Sequence, residues 1–235
     1  MPKHRIWELD ALRGLCILGM LVFHLLYDAT ELFALLPFSL PPWLTFIADI
    51  GARVFLLLSG LCVTLGSHPI RRGLTVFGCA MACTLVTWLM YKLGFAGSSM
   101  VIRFGMLHCL GICMLLWPLL RRFPLWLLAL LGAAAVLAGG WLDASSFRVD
   151  SRWLFPLGLR YFGFSSGDYY PLLPGLGWFL IGSLLGKTLY GSKQSLLAKV
   201  PVLSFLCFFG RHSLPIYLLH QPIFAAILFS LKELL

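Results

Sequence analysis

Residues 9–28 read LDALRGLCILGMLVFHLLYD, an apolar run that nonetheless carries Asp10, Arg13, His24 and Asp28. A charged side chain at the centre of a spanning helix costs at least about 2.5–3.5 kcal/mol, so such residues persist where they face a polar cavity or a partner. A helix turns about 100° per residue, which leaves His24 about 20° round from Arg13, and Asp10 and Asp28 each about 60° from it. The four therefore share one stripe, with Arg13 and His24 about 17 Å apart along the axis. Asp28, one turn beyond His24, is placed to accept a hydrogen bond from its ring, which would fix the tautomer and raise the basicity, as a general base needs. Asp10 is placed to hold Arg13, and Arg13 to contact phosphate oxygens. The plainer reading of the stripe is a structural salt-bridge helix turned toward a bundle interior.

Other reactive side chains are scattered. Asp49 and Arg53 stand at i, i+4, the spacing of a local ion pair on a helix. His108 lies in RFGMLHCLG and His220 in HSLPIYLLHQP, both within apolar runs; His212 sits beside Arg211. A single membrane histidine is as readily a hydrogen-bonded packing residue as a catalyst. His4 and His68 fall in polar connections and read as ordinary. The seven cysteines all lie in apolar runs. Cys79/Cys83 and Cys109/Cys113 have helical spacing and there is no CxxC, so they read as small buried hydrophobes. No HExxH, no Cys/His metal spacing, no GxSxG and no phosphate-binding glycine loop occurs, so no metal is expected.

The elements that must carry these residues are membrane helices. Of 235 residues 60% are hydrophobic and only 11% charged, with mean hydropathy +0.92. A soluble domain carries about 25% charged residues. The fold class expected is all-α, a polytopic integral membrane helical bundle of about seven transmembrane helices. These cover roughly 10–28, 43–66, 73–92, 102–120, 124–142, 172–190 and 212–232. Residues 200–210 are apolar but short and read as an interfacial or half-length helix. No long polar stretch remains for a second domain, so residues 1–235 count as one. The basic start followed by an apolar run imitates a signal peptide. Arg13 interrupts the run and no small-residue cleavage site follows, so it reads as an uncleaved first span.

The net charge of +9 is spread over short connections: Lys3 and Arg5, Arg71 and Arg72, Arg121 and Arg122, and Lys187, Lys193, Lys199 and Arg211. With seven spans these fall on one side. The positive-inside rule then makes the N-terminus cytoplasmic and the C-terminus external. No basic groove-sized stripe exists, so no nucleic acid is expected as partner. The external side would hold loop 143–171, whose RYFGFSSGDYYP suits a lid or a carbohydrate-binding surface. No internal repeat appears, which counts mildly against a transporter.

Arg13, ten residues and then His24 resembles the R-x10-H pattern of transmembrane acyltransferases of the acyltransferase-3 type, and VFLLLSG (54–60) resembles their FFxxSG motif. DALRG with FHLLYD, FGMLHCLG, DYYPLLPGLG and GRHSLPIYLLHQP look like one branch: bacterial proteins similar to the catalytic domain of heparan-alpha-glucosaminide N-acetyltransferase. The resemblance runs from residue 8 to about 224. It implies an enzyme of the bacterial inner membrane that takes an acyl group, acetyl above all, from cytoplasmic acyl-CoA and delivers it to an amino-sugar or glycan acceptor outside. Acyl-CoA is then the co-substrate. The lipid bilayer, a carbohydrate acceptor and a second copy of the chain in a homodimer are the expected partners. Carried over, His24 is the general base or acyl-handling residue, with Asp28, His108 and His220 as further catalytic candidates. Asp10, Arg13, Arg53 and Arg211 fall to the CoA end, and Asp168 and Tyr169 to the acceptor. One departure stands: the lysosomal branch has an asparagine near the position of His24 and a histidine in the following loop, whereas loop 29–42 here has none. Either His24 does the base work or the mechanism differs. Two other classes compete: a small proton-coupled transporter with a His/Asp relay, and a non-catalytic scaffold.

Overall fold

The computed structural model describes residues 5–145, 147–198 and 200–234; Lys3, His4 and Lys199 lie outside the described residues. Among the described residues eight α-helices follow one another: α1 (Trp7–Tyr27), α2 (Pro42–Leu65), α3 (Pro69–Lys92), α4 (Met106–Leu120), α5 (Leu125–Ala144), α6 (Leu172–Leu189), α7 (Ser204–Arg211) and α8 (Ser213–Leu234). Six of them, α1, α2, α3, α5, α6 and α8, are long and apolar enough to cross a membrane, and α4 is a shorter apolar helix. The chain is thus a multi-pass helical membrane protein. The eight-residue α7 takes the place expected for a half-length helix.

The chain divides into two compact units, residues 1–55 with 192–235 and residues 56–191. The first unit is built on α1. Its partner α7 comes so close that glycine is required on both sides. A Cβ on Gly14 would run into the Leu206 carbonyl, and one on Gly210 into the Asp10 carbonyl. Lipid tails give helices no hydrophobic reason to associate, so close backbone approach through small residues supplies the attraction. The seam is tied at one end: Glu8 accepts the Leu196 N–H at 2.7 Å and the Ser195 hydroxyl, and the Trp7 indole donates to the Leu197 carbonyl at 3.1 Å. Beyond Tyr27 the helix widens into a π-turn, Asp28–Leu32, which buries Asp28, Ala29 and Thr30. Thr30 returns its hydroxyl to the Leu26 carbonyl at 2.9 Å.

The second unit has α4 as its buried helix, packed on α3 and α6, while α5 lies along α6. Gly60 of α2 fits against the Phe179 backbone and Gly182 of α6 against that of Leu57, so this seam also admits no side chain. The sequence pattern predicts the fourth span over 102–120, but α4 begins at Met106. The apolar residues ahead of it are drawn into an extended pairing instead. Gly167 N–H donates to the Val101 carbonyl at 3.2 Å and Tyr170 N–H to that of Phe104 at 2.9 Å. An apolar run does not tell a helix from a buried extended segment.

Candidate functional site

Within the first unit, residues from the two ends of the chain converge. The rings of His24 on α1 and His220 on α8 lie 4.9 Å apart, edge to face at 71°. His24 Nδ1 is 2.9 Å from the Met20 carbonyl and His220 Nδ1 is 2.6 Å from that of Tyr217. A carbonyl can only accept, so in both neutral rings Nδ1 carries the proton and Nε2 keeps its lone pair. His220 is only 6% exposed, packed between Tyr217 and Phe224, and its Nε2 has no hydrogen-bond partner among the described residues. Asp28 is 3% exposed, and its Oδ2 has none either. The other side of that carboxyl group is reached by the Gln221 side chain, with His24 within electrostatic range. Buried polar atoms in folded proteins nearly always have a partner, and an orphan asks for a reason, a catalytic role among them. Here two orphans sit in one unit, one on the π-turn that follows α1 and one on α8, beside a histidine whose own Nε2 is a base.

The expected bond from the His24 ring to Asp28 is not made. Met20, one turn before His24 on the same helix, fixes the tautomer, which leaves the Asp28 carboxyl for Gln221. Asp10 likewise turns to Arg5, 3.7 Å away. Arg13 stands half-buried on the same face of α1, nearer its N-terminus. Arg211 is exposed on α7 and folds its Nε back to the Cys207 carbonyl at 3.0 Å. Asp49 and Arg53 close on each other along α2, the local pair their spacing predicts.

His108, Asp168 and Tyr169 belong to the second unit and form a different construction. His108 Nδ1 accepts the Gly105 N–H at 3.1 Å. Its Nε2 is 3.2 Å from Thr84 Oγ1, whose own proton goes to the Ile102 carbonyl at 2.7 Å. This ring therefore carries its proton on Nε2 and has both nitrogens engaged, the tautomer opposite to that of His24 and His220. Asp168 Oδ2 accepts the Met106 N–H at 3.0 Å. Together His108 and Asp168 satisfy two of the N–H groups that any helix start leaves open. Tyr169 donates its hydroxyl to the Phe155 carbonyl at 2.7 Å and lies under Arg160, 5.2 Å from the ring centroid. Burial pushes its phenol up to about 12, with Arg160 pulling less strongly the other way. Tyr169 also lines a cavity of about 520 Å³ with Arg148, Arg160, Tyr161, Phe164 and Ser165. That cavity belongs to loop 143–171, which the sequence marks as aromatic and glycine-rich.

Sequence reasoning missed Gln221, Thr84 and the carbonyls of Met20 and Tyr217. Gln221 carried a signal, standing between His220 and Pro222; the backbone acceptors carried none. Among the described residues, no group of three His, Cys, Asp or Glu side chains is disposed to hold a metal ion.

A family model described as heparan-alpha-glucosaminide N-acetyltransferase, catalytic, matches residues 5–222. No curated protein and no solved structure matches the chain.

Proposed function

The chain belongs to the heparan-alpha-glucosaminide N-acetyltransferase catalytic family, and on that premise we propose that it transfers an acetyl group from acetyl-CoA to the amine or hydroxyl of a sugar acceptor, with His24 as general base. The observation that carries this is the meeting of His24 and His220 at 4.9 Å beside the orphaned carboxylate oxygen of Asp28.

His24 Nε2 takes the proton of the acceptor amine or hydroxyl as that atom attacks the thioester carbonyl. A C–N or C–O bond forms, the C–S bond breaks, and the CoA thiolate leaves with the proton that the imidazolium returns. The second lone pair, on His220 Nε2, accepts a hydrogen bond from the acceptor or shares the proton in flight. Asp28 Oδ2 stabilises the positive charge that appears on His24. Arg13, with Arg211 and Arg53, is assigned to the phosphate-bearing end of the donor, and Asp10 holds the local field around Arg13. Asp168 and Tyr169 are assigned to the acceptor, as the resemblance implies. The donor is taken from the cytoplasm and the acceptor from outside, in a bacterial inner membrane. The clustering of cations in alternate connections supports that orientation.

The test is acetyl transfer to a panel of amino sugars by the purified protein in nanodiscs. His24→Ala is expected to lower turnover about 10²–10⁴-fold, the usual contribution of a positioned base. Thermal stabilisation by acetyl-CoA should survive the change. Full activity in that variant would sink the assignment. No stabilisation of the wild type by any acyl-CoA, together with proton-coupled solute uptake in vesicles, would favour the transporter.

A further inference from the structure

In the second unit, the end of α2, the start of α3 and the ends of α4 and α6 enclose a second cavity of about 210 Å³, lined by Thr64, Gly66, Pro69, Trp117, Arg121 and Lys187 among others. Lys187 Nζ sits 5.3 Å over the Trp117 ring and gives one N–H to the Arg121 carbonyl at 3.3 Å, leaving two donors. Trp117 itself is buried, 3% exposed, and makes an apolar wall. The Arg72 guanidinium lies against Gly66, where a Cβ would meet it. The α3 N-terminus opens here with Pro69, and His68 before it provides no side-chain cap, so the positive end of a 24-residue helix adds to the field.

The C-terminal ends of α2, α4 and α6 bring partial negative charge to the same place, but no acidic side chain among the lining stretches balances the cations. Residues 50–142 and 169–232 contain no Asp or Glu at all, and the stretches that line the cavity all lie within them. Topology alone collects Lys and Arg in cytoplasmic turns. Capping of the α4 C-terminus accounts for the bond from Lys187 to the Arg121 carbonyl, but neither it nor topology supplies an anion for a cavity that Lys187 shares with a second cation and no acid. Two unbalanced cations around one cavity repel each other unless an anion joins them, and phosphate oxygens are the acceptors that Arg and Lys match best. We infer that this cavity is a binding site for a phosphate group, held between Arg121 and Lys187. Its size suits a phosphate head rather than a whole nucleotide. The phosphate comes either from an anionic lipid headgroup, which basic pockets between membrane helices accept, or from a soluble phosphorylated molecule. This inference stands apart from the acyl-transfer reading and survives its failure.

The experiment uses the full chain in nanodiscs. Inorganic pyrophosphate is titrated into protein in phosphatidylcholine discs. In a second arm, stability in phosphatidylcholine discs is compared with that in discs containing phosphatidylglycerol. A rise in melting temperature with pyrophosphate assigns a soluble phosphate; a rise only with phosphatidylglycerol assigns a lipid headgroup. In whichever arm responds, Arg121→Gln and Lys187→Gln are expected to weaken the effect about tenfold or more, the worth of one charge-assisted contact. Arg122→Gln, the adjoining cation outside the lining, should leave it unchanged. Arg121 is exposed, so its variant carries the test if the Lys187 variant does not fold. No stabilisation of the wild type in either arm, or an equal loss in the Arg122 variant, overturns the site.

Discussion

At the scale of single residues, three histidines that composition cannot distinguish differ in what their ring nitrogens bind. His24 and His220 give Nδ1 to a carbonyl of their own helix and keep Nε2 as a base, whereas His108 takes a backbone N–H on Nδ1 and spends Nε2 on Thr84. If His24 and His220 act as one unit, their losses do not add. His220→Gln is expected to cut acetyl transfer about 10²-fold, and the double variant His24→Ala/His220→Gln to be no slower than His24→Ala alone, since groups that work together are non-additive. Single-turnover rates of the three variants measure this, and independent, multiplying losses would separate the two rings. His108→Gln should instead lower the melting temperature, because it uncaps α4, while any protein that stays folded keeps its turnover. Tyr169 gives a pH test. Its phenol is raised from the ordinary 10.0 to about 12, so the folded state favours the neutral form. Below pH 10 this stabilisation is fully present. As pH climbs from 10 toward 12 the unfolded chain ionises first and the stabilisation is lost. The wild type should therefore lose stability relative to Tyr169→Phe across that interval, measured by thermal unfolding.

At the scale of elements, stability rests on helix seams that tolerate no Cβ. Gly14→Ala or Gly210→Ala should destabilise by about 1–3 kcal/mol or more, the cost of overpacking a contact that cannot relax, because the obstacle is backbone. Gly19 on the same helix has nothing within 4 Å of an added Cβ. Its alanine variant should be neutral or gain up to about 1 kcal/mol from helix propensity. Thermal unfolding in detergent compares them, and equal effects at Gly14 and Gly19 would mean that α1 does not pack on α7 this way. These elements also show what was legible beforehand. The helix period alone put Arg13 and His24 on one face of α1, and hydropathy located every long helix, because both are local properties. The pairing of His24 with His220 was not legible, since it depends on a tertiary contact between the two ends of the chain. The π-turn at Asp28–Leu32 was not either: nothing in DATEL forbids an α-helix, and the widening is what buries Asp28. The start of α4 went wrong for the same reason, because Val101–Gly105 is apolar enough to be helical and is extended only through its pairing with 166–170.

At the scale of the whole molecule, the proposed transfer across the membrane depends on an odd number of crossings, and therefore on α4. Fifteen residues make a helix about 22 Å long, short of the roughly 30 Å of a hydrocarbon core. The extended residues 101–105 ahead of it add about 16 Å at strand rise. Such backbone is tolerated at membrane depth only where protein covers it. That condition is met: Val101 and Phe104 are 3% and 5% exposed, and their carbonyls are taken by Gly167 and Tyr170. Ile102 and Arg103 also give their N–H groups to Thr87 and Ser166, so the combined segment would be long enough to cross with much of its backbone satisfied. Seven crossings would put Arg71, Arg72, Arg121, Arg122 and Lys187 on the side of the N-terminus and loop 143–171 on the other, the arrangement that the positive-inside rule favours. The expectation is that an N-terminal tag is protected in right-side-out vesicles while a C-terminal tag is digested by added protease. Protection of both tags would mean that α4 turns back without crossing. It would also put loop 143–171 on the donor side, ending the assignment of Asp168 and Tyr169 to an external acceptor.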